Sequence, residues 1–189
     1  MKNRYKVIII FLVVIAALVA SAVFLLKRGK KEPIFNDQIK HDLAVADFKE
    51  GEEYQFRQIP WGTSLEELKT IVPYSLFEDP IRPTTDFHST ESYLLFGKTT
   101  DAIFKFEEDK LAEVQLVFRS EENAVEQFDS IVAEATELFG AESEKIENTI
   151  TIALGYIWKT DNTMLEITTY KVGDRKVMNI FVRAITESM

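Results

Sequence analysis

The sequence predicts an α+β protein in which two helix-plus-three-strand units form antiparallel sheet with helices on one face, preceded by one N-terminal transmembrane helix. Three observations predict this class. Residues 7–26 contain no charged side chain. Two later stretches repeat apolar residues at intervals of three and four, the spacing of an amphipathic helix. Each is followed by segments in which apolar and polar residues alternate, and the short connections between those segments favour antiparallel neighbours.

The N-terminal element is a predicted membrane anchor. Residues 1–6 form a basic tail, and residues 7–26 read VIIIFLVVIAALVASAVFLL. A helix of this length is about 30 Å long, which matches the hydrocarbon core of a bilayer. The alternative is a cleaved signal peptide, because the Ala-Ser-Ala at 20–22 resembles a cleavage site. The apolar run is longer than the core of a usual signal peptide, so we expect an uncleaved anchor.

The anchor also suggests where the protein resides. A short basic tail before an apolar run is typical of an export signal. We therefore expect a single-pass protein of the cell membrane with a cytoplasmic N-terminus and an extracytoplasmic soluble domain. Basic residues flank residues 7–26 on both sides, so the flanking charges alone do not set this orientation.

Residues 27–53 are polar, lack a clear period and are expected to be a solvated linker. Seven of the 22 basic residues lie in residues 1–31 and no acidic residue does, so the remaining 15 face all 31 acids, a formal charge of −16. Such a body repels phosphate backbones, and no nucleic-acid partner is expected. The chain has no cysteine, which excludes disulfides and thiolate chemistry.

Residues 54–186 form the predicted α+β domain, and its first helix follows the stretch FRQIPWGTSLEELKTIVP. Ser64 and Glu67 fit a capping box, in which each side chain bonds the backbone N–H of the other residue, and Thr63 with Glu66 fits the same pattern one residue earlier. Leu65, Leu68 and Val72 form one apolar face, and the proline that follows ends the helix. Each of these residues has a structural role, and none needs a catalytic role to explain its presence.

A proline-rich segment, residues 73–92, is predicted to be an extended surface loop. From Tyr93 the period changes to two, which predicts three strands, with a hairpin turn at residues 107–110. The second unit begins with a helix that starts after Ser120 and ends at Gly140. Its three strands are TITIALGYIWK, TMLEITTYK and KVMNIFVRAI, joined by turn-rich connections.

This order of elements resembles that of the small exported α+β domains of the β-lactamase-inhibitor-protein-like superfamily, which includes outer-membrane-assembly small lipoproteins. The resemblance covers residues 56–185 and includes a helix start of the form Gly-x-Ser/Thr-x-x-Glu/Asp-hydrophobic at residues 62–68. This chain lacks the lipid-bearing cysteine of the lipoprotein members. The resemblance implies a binding or scaffolding module without catalysis, and it carries over no site residue.

Catalytic and metal-binding patterns are sparse, and no cofactor is predicted. Asp86, His88 and Glu91 could supply three metal ligands from one loop, and a hydrolase or metal-dependent enzyme of the cell envelope is the alternative that uses them. We prefer the interpretation of a polar loop, because metal sites seldom rest on one segment without supporting hydrogen bonds.

The remaining candidate is one face of the predicted sheet, where strand alternation gathers aromatic and basic side chains. Its proposed binding residues are Lys105, Arg119, Tyr170, Phe181 and Arg183. Aromatic residues with arginine are the composition of binding hot spots, although a solvated sheet face is the simpler explanation. We expect a membrane-anchored binding or structural module with a protein or envelope-polymer partner. An envelope sensor is a further alternative.

Overall fold

The computed structural model describes residues 36, 38–118, 124–173 and 175–185. These residues form twelve strands: β1 (Lys40–Asp42), β2 (Lys49–Glu50), β3 (Glu53–Tyr54), β4 (Leu76–Glu78), β5 (Asp86–Ser89), β6 (Ser92–Leu95), β7 (Lys98–Glu107), β8 (Lys110–Phe118), β9 (Glu144–Glu147), β10 (Ile152–Lys159), β11 (Thr163–Val172) and β12 (Arg175–Ala184). The α-helices of the described chain are α1 (Leu65–Ile71) and α2 (Phe128–Phe139), and 3₁₀ turns lie at Val45–Phe48 and Ala124–Gln127.

Ten of the described strands form one mixed sheet. Eight of them follow the order β1-β6-β7-β8-β12-β11-β10-β9, and β4 and β5 lie beside this path. On the edge of β7 opposite β8, β5 and β6 lie end to end, because Phe87 pairs with Phe104 and Tyr93 pairs with Thr100. β4 pairs with β5, and β1 runs parallel to β6. β2 and β3 form a separate hairpin. β8 pairs with β12 at the centre, which joins the strands before and after α2 into one sheet.

The core lies on one face of this sheet, called here the inner face. Its fully buried strand residues are Ala102, Phe104, Val114, Leu116, Leu165, Ile167, Ile180 and Val182. The chain before α1 covers them, with Phe56 placed 5.3 Å from the ring of Tyr93 and 6.1 Å from the ring of Phe104. Helix α2 adds Phe128 and Ile131 to the same cluster. Each large apolar side chain buried here contributes about 1.5–3 kcal/mol.

The capping box predicted for the first helix is confirmed. Glu67 N–H donates to Ser64 Oγ at 3.3 Å, and Ser64 N–H donates to the Glu67 carboxylate at 3.0 Å. The segment before the helix also docks on a hairpin, because Gly62 N–H and Leu111 C=O bond at 3.0 Å. The stretch therefore begins a helix and fixes it to the sheet.

The second helix is shorter than predicted. The α-helix begins at Phe128, after a 3₁₀ turn, and the predicted cap Ser120 lies outside the described residues. Gly140 ends the helix with φ 86°, the left-handed region that glycine adopts without steric strain.

Glu53 joins the β2–β3 hairpin to the β10–β11 turn, and this contact is called here the Glu53 join. The carboxylate of Glu53 accepts hydrogen bonds from Thr163 Oγ1 at 2.6 Å, Asn162 Nδ2 at 2.9 Å and Thr160 Oγ1 at 2.7 Å. These three bonds lower the pKa of Glu53.

The predicted fold class is wrong in its architecture. The described chain forms a single large mixed sheet with two short α-helices, in place of two helix-plus-three-strand units of purely antiparallel sheet. The six predicted strands correspond to β6, β7, β8, β10, β11 and β12, but β1, β4, β5 and β9 extend the sheet. These added strands contain only three or four residues each, too few for an alternating pattern to stand out in the sequence.

Two segments expected to be irregular also contribute to the fold. Residues 40–53 of the predicted linker form β1, the first 3₁₀ turn, β2 and the start of β3, and Val45 and Phe48 are fully buried. The predicted surface loop at 73–92 contains β4 and β5, where Phe87 is buried. Isolated apolar residues in these polar segments give no period, although Val45, Phe48 and Phe87 belong to the core.

The predicted anchor, residues 7–26, lies outside the described residues. Within the part of the chain that the structure describes, no helix has both the length and the apolar character needed to cross a membrane. Membrane anchoring therefore stays a prediction.

Candidate functional site

The candidate site lies on the outer face of the sheet, opposite the core. Register places Lys105 beside Glu113 and Glu113 beside Arg183, in one row across β7, β8 and β12. The next row places Phe181 beside Glu166. These five residues are called here the outer-face cluster. Strand alternation brings them together, because residues two apart on a strand share a face.

Ion pairs hold the cluster. The Lys105 ammonium contacts one oxygen of Glu113 at 2.6 Å, and the Arg183 guanidinium contacts the other at 3.5 Å. The same guanidinium donates a hydrogen bond to Glu166. Two cations therefore face two carboxylates, and the cluster as a whole is close to neutral.

Phe181 lies between the cations. Lys105 Nζ is 5.6 Å from the centre of its ring and the Arg183 guanidinium is 5.8 Å away, both within range of a cation–π contact. Tyr170 packs edge-on against the same ring at 6.3 Å. All four side chains are half-buried. Four of the five predicted binding residues thus meet, and the fifth, Arg119, lies outside the described residues.

Glu166 is the most buried member of the cluster, at 6% exposure. Burial raises its pKa, and the charge of Glu113 adds to this effect while Arg183 opposes it. Burial also raises the pKa of Tyr170. Arg183 balances the negative charge of the buried Glu166 and also contacts Glu113. Loss of this one arginine would therefore leave a buried carboxylate without its cation.

A pocket of about 430 Å³ opens at one end of the cluster. Glu113 and Arg183 form part of its wall, together with Glu107, Met164 and Ile185. The wall combines charged and apolar groups, so the site could receive an amphipathic side chain from a partner. Neither the pocket nor Glu113 was predicted from the sequence. Glu113 lies two residues before Gln115, the partner of Phe181 across β8 and β12, so strand alternation places both on the outer face.

The candidate metal ligands Asp86, His88 and Glu91 do not converge. His88 Nε2 bonds the carboxylate of Asp79 at 2.7 Å, whereas Glu91 bonds His41 at 2.7 Å. Asp86 is buried and accepts a bond from the hydroxyl of the preceding threonine at 2.9 Å. The described residues contain no group of three or more His, Cys, Asp or Glu placed to hold a metal ion.

Two histidine contacts shape their surroundings in different ways. Hydrogen bonds from His88 and from two backbone N–H groups lower the pKa of Asp79 to about 2.

The ring of His41 packs against Tyr74 and Tyr93, whose hydroxyl groups bond each other. Burial raises the pKa of Tyr93 to about 12 and raises the pKa of Tyr74 well above its ordinary value. Both tyrosines are therefore protonated near neutral pH and are not placed to act as bases.

Comparison of the chain with protein-family models, with curated proteins and with solved structures finds no match. The resemblance to the β-lactamase-inhibitor-protein-like superfamily stays a prediction.

Proposed function

We propose that this protein is a membrane-anchored, extracytoplasmic binding module that performs no catalysis and holds a protein partner on the outer face of its sheet. Residues 7–26 anchor it in this proposal. The observation that carries the proposal is the grouping of Tyr170 and Phe181 with Lys105 and Arg183 beside a pocket.

The position of the cluster supports this function. Leu68 of α1, Phe128 and Ile131 of α2, and Phe56 of the chain before α1 pack into the core on the inner face. Half-buried aromatic rings on the other face offer apolar area with few rotatable bonds, which lowers the entropy lost when a partner binds. Ion pairs that already fix Lys105 and Arg183 reduce that loss further.

Site-specific photo-crosslinking of the full chain in its native membranes tests the proposal. A photoreactive amino acid at position 115 places the probe next to Phe181, because Gln115 and Phe181 pair across β8 and β12. The matched control carries the same probe at Thr70, an exposed residue of α1. We expect a protease-sensitive crosslinked species with the probe at position 115 that is absent with the probe at position 70.

The double substitution Tyr170→Ala and Phe181→Ala should remove that species while the fold is retained, as measured by thermal unfolding. The control double substitution Ile71→Ala and Ile81→Ala changes exposed apolar residues elsewhere and should preserve it. Equal crosslinking in both double variants would contradict the proposed face. A crosslinked species that yields no peptides of a second protein would assign the partner to an envelope polymer instead of a protein.

A further inference from the structure

Two neighbouring turns at one end of the sheet expose aliphatic side chains. Ile150 lies in the β9–β10 turn and is 97% exposed, and Val172 ends β11 with 56% exposure. Lys171 joins the two turns, because its N–H donates to Thr151 C=O at 2.8 Å and its ammonium donates to Thr149 C=O at 3.1 Å. Residues 149–151, 171–173 and 176 are called here the hairpin-tip patch.

Backbone geometry does not require these apolar side chains. The left-handed conformations of the two turns fall on Asn148, with φ 49°, and on Gly173, with φ 60°. Asn and Gly are the residues that such turns favour. The turn conformation does not require Ile150 or Val172, and neither side chain packs in the core.

The patch is basic although the domain is strongly acidic. Its charged residues are Lys171 and Lys176, both exposed, which give a formal charge of +2. Nearby, Glu147 is already paired with Lys145 at 2.5 Å. Lys171 bonds a neutral carbonyl, which leaves its charge uncompensated by that contact. Residues 32–189 carry −16 in total, as derived from the sequence, so the positive charge is concentrated beside the exposed aliphatic residues.

We infer that the hairpin-tip patch binds the surface of an anionic lipid bilayer, with Ile150 and Val172 inserted among the lipids and the basic residues at the headgroups. Aliphatic tips flanked by lysine suit this surface, because apolar burial and attraction to anionic headgroups act together. The rest of the acidic domain is repelled by the same headgroups, so contact is confined to the tip. The inference rests on the anchor of the proposed function, which raises the effective concentration of the tip at the bilayer.

The absence of cysteine makes a direct test simple, because one introduced cysteine gives one labelling site. The full chain, carrying Ile150→Cys or Val172→Cys with an environment-sensitive fluorophore, is reconstituted in phosphatidylcholine vesicles with or without about 30% phosphatidylglycerol. The control is Ile81→Cys, an aliphatic residue that is 85% exposed, in a segment (79–86) with two acids and one arginine. Flotation of the vesicles reports the anchor independently of the fluorophore.

In the anionic vesicles, the fluorophores at positions 150 and 172 should emit at shorter wavelength and be quenched by doxyl-labelled lipid, whereas the fluorophore at position 81 should not. Lys171→Gln and Lys176→Gln should each lower the ratio of inserted to free tip about fivefold. Emission as in water from a chain that floats with the vesicles overturns the inference and leaves the anchor intact. A spectral shift without lipid quenching also overturns it, since it indicates contact with protein. A chain that does not float overturns the anchor and the inference with it.

Discussion

The outer-face cluster and the Glu53 join both centre on a carboxylate, but they hold it in opposite ways. Glu166 is buried and bonds a charged arginine, and its pKa is raised. Glu53 bonds two hydroxyl groups and one amide near solvent, and its pKa is lowered. Neutral donors around a hydrated carboxylate favour its charged form, whereas burial works against that form even beside a cation.

This difference separates a structural contact from a candidate binding site. The Glu53 join is satisfied within the chain and fixes the N-terminal hairpin to the β10–β11 turn. The outer-face cluster keeps a buried charge that is balanced only while Arg183 stays in place. Charged groups with perturbed pKa values concentrate at functional sites, although ion pairs with a structural role also perturb them.

The largest effect should come from Arg183→Met. This substitution removes the guanidinium that contacts both Glu113 and Glu166, and it leaves a buried carboxylate without its cation. Loss of one partner from a buried pair costs about 3–5 kcal/mol, and the partial exposure of Arg183 lowers our expectation to about 2 kcal/mol. Urea unfolding measures the change. Lys69→Met breaks only an exposed pair with Glu66 and should stay within about 0.5 kcal/mol of the parent.

A smaller effect is expected from Glu53→Ala. Its three hydrogen bonds are lost, but the hydroxyl and amide groups can bond water instead, so the free energy of unfolding should fall by about 1 kcal/mol. Glu52→Ala is the matched control, because the neighbouring carboxylate is exposed. If the two variants were equally stable, Glu53 would contribute nothing as a join.

The smallest effect is a difference in pH dependence. The folded-state pKa of Glu166 is raised. Its contribution to stability is therefore fully present below the ordinary pKa of 4.5 and is lost as pH rises through the folded-state pKa. A lowered pKa means that the contribution of Glu53 is present above 4.5 and is lost as pH falls through the folded-state value.

Relative to the parent, Glu166→Gln should therefore become more stable as pH rises above the ordinary carboxyl value of 4.5, whereas Glu53→Gln should become less stable as pH rises towards 4.5 from below. Urea unfolding at several pH values measures both slopes. Slopes of the same sign in the two variants would remove the distinction between the regions.

Local features were accessible from sequence because short-range chemistry determines them. The Ser64 capping box needs only residues three apart. The hairpin between β7 and β8 was expected at residues 107–110, and Glu108 and Asp109 adopt left-handed turn conformations there. β10, β11 and β12 contain eight to ten residues each, which is long enough for alternation to identify them.

Long-range pairing was not accessible, and it determines both the architecture and the site. The pairing of β8 with β12 depends on the fit of two buried faces, which no local pattern records. Alternation alone placed Lys105, Phe181 and Arg183 on one face. It could not show that Glu113 would stand between Lys105 and Arg183, because a shift of one residue in register would turn Glu113 to the other face.

The position of β12 has a consequence for how the chain is made. β12 is central in the sheet, yet it is the last described strand in sequence order. A growing chain therefore exposes the unpaired edge of β8 while residues 119–174 are added, a delay of several seconds at about 5–20 residues per second. An open edge of this kind can pair with a strand of another chain. Newly synthesised protein is thus most prone to aggregation before its final strand emerges, and a chain that stops short of β12 keeps that edge open permanently.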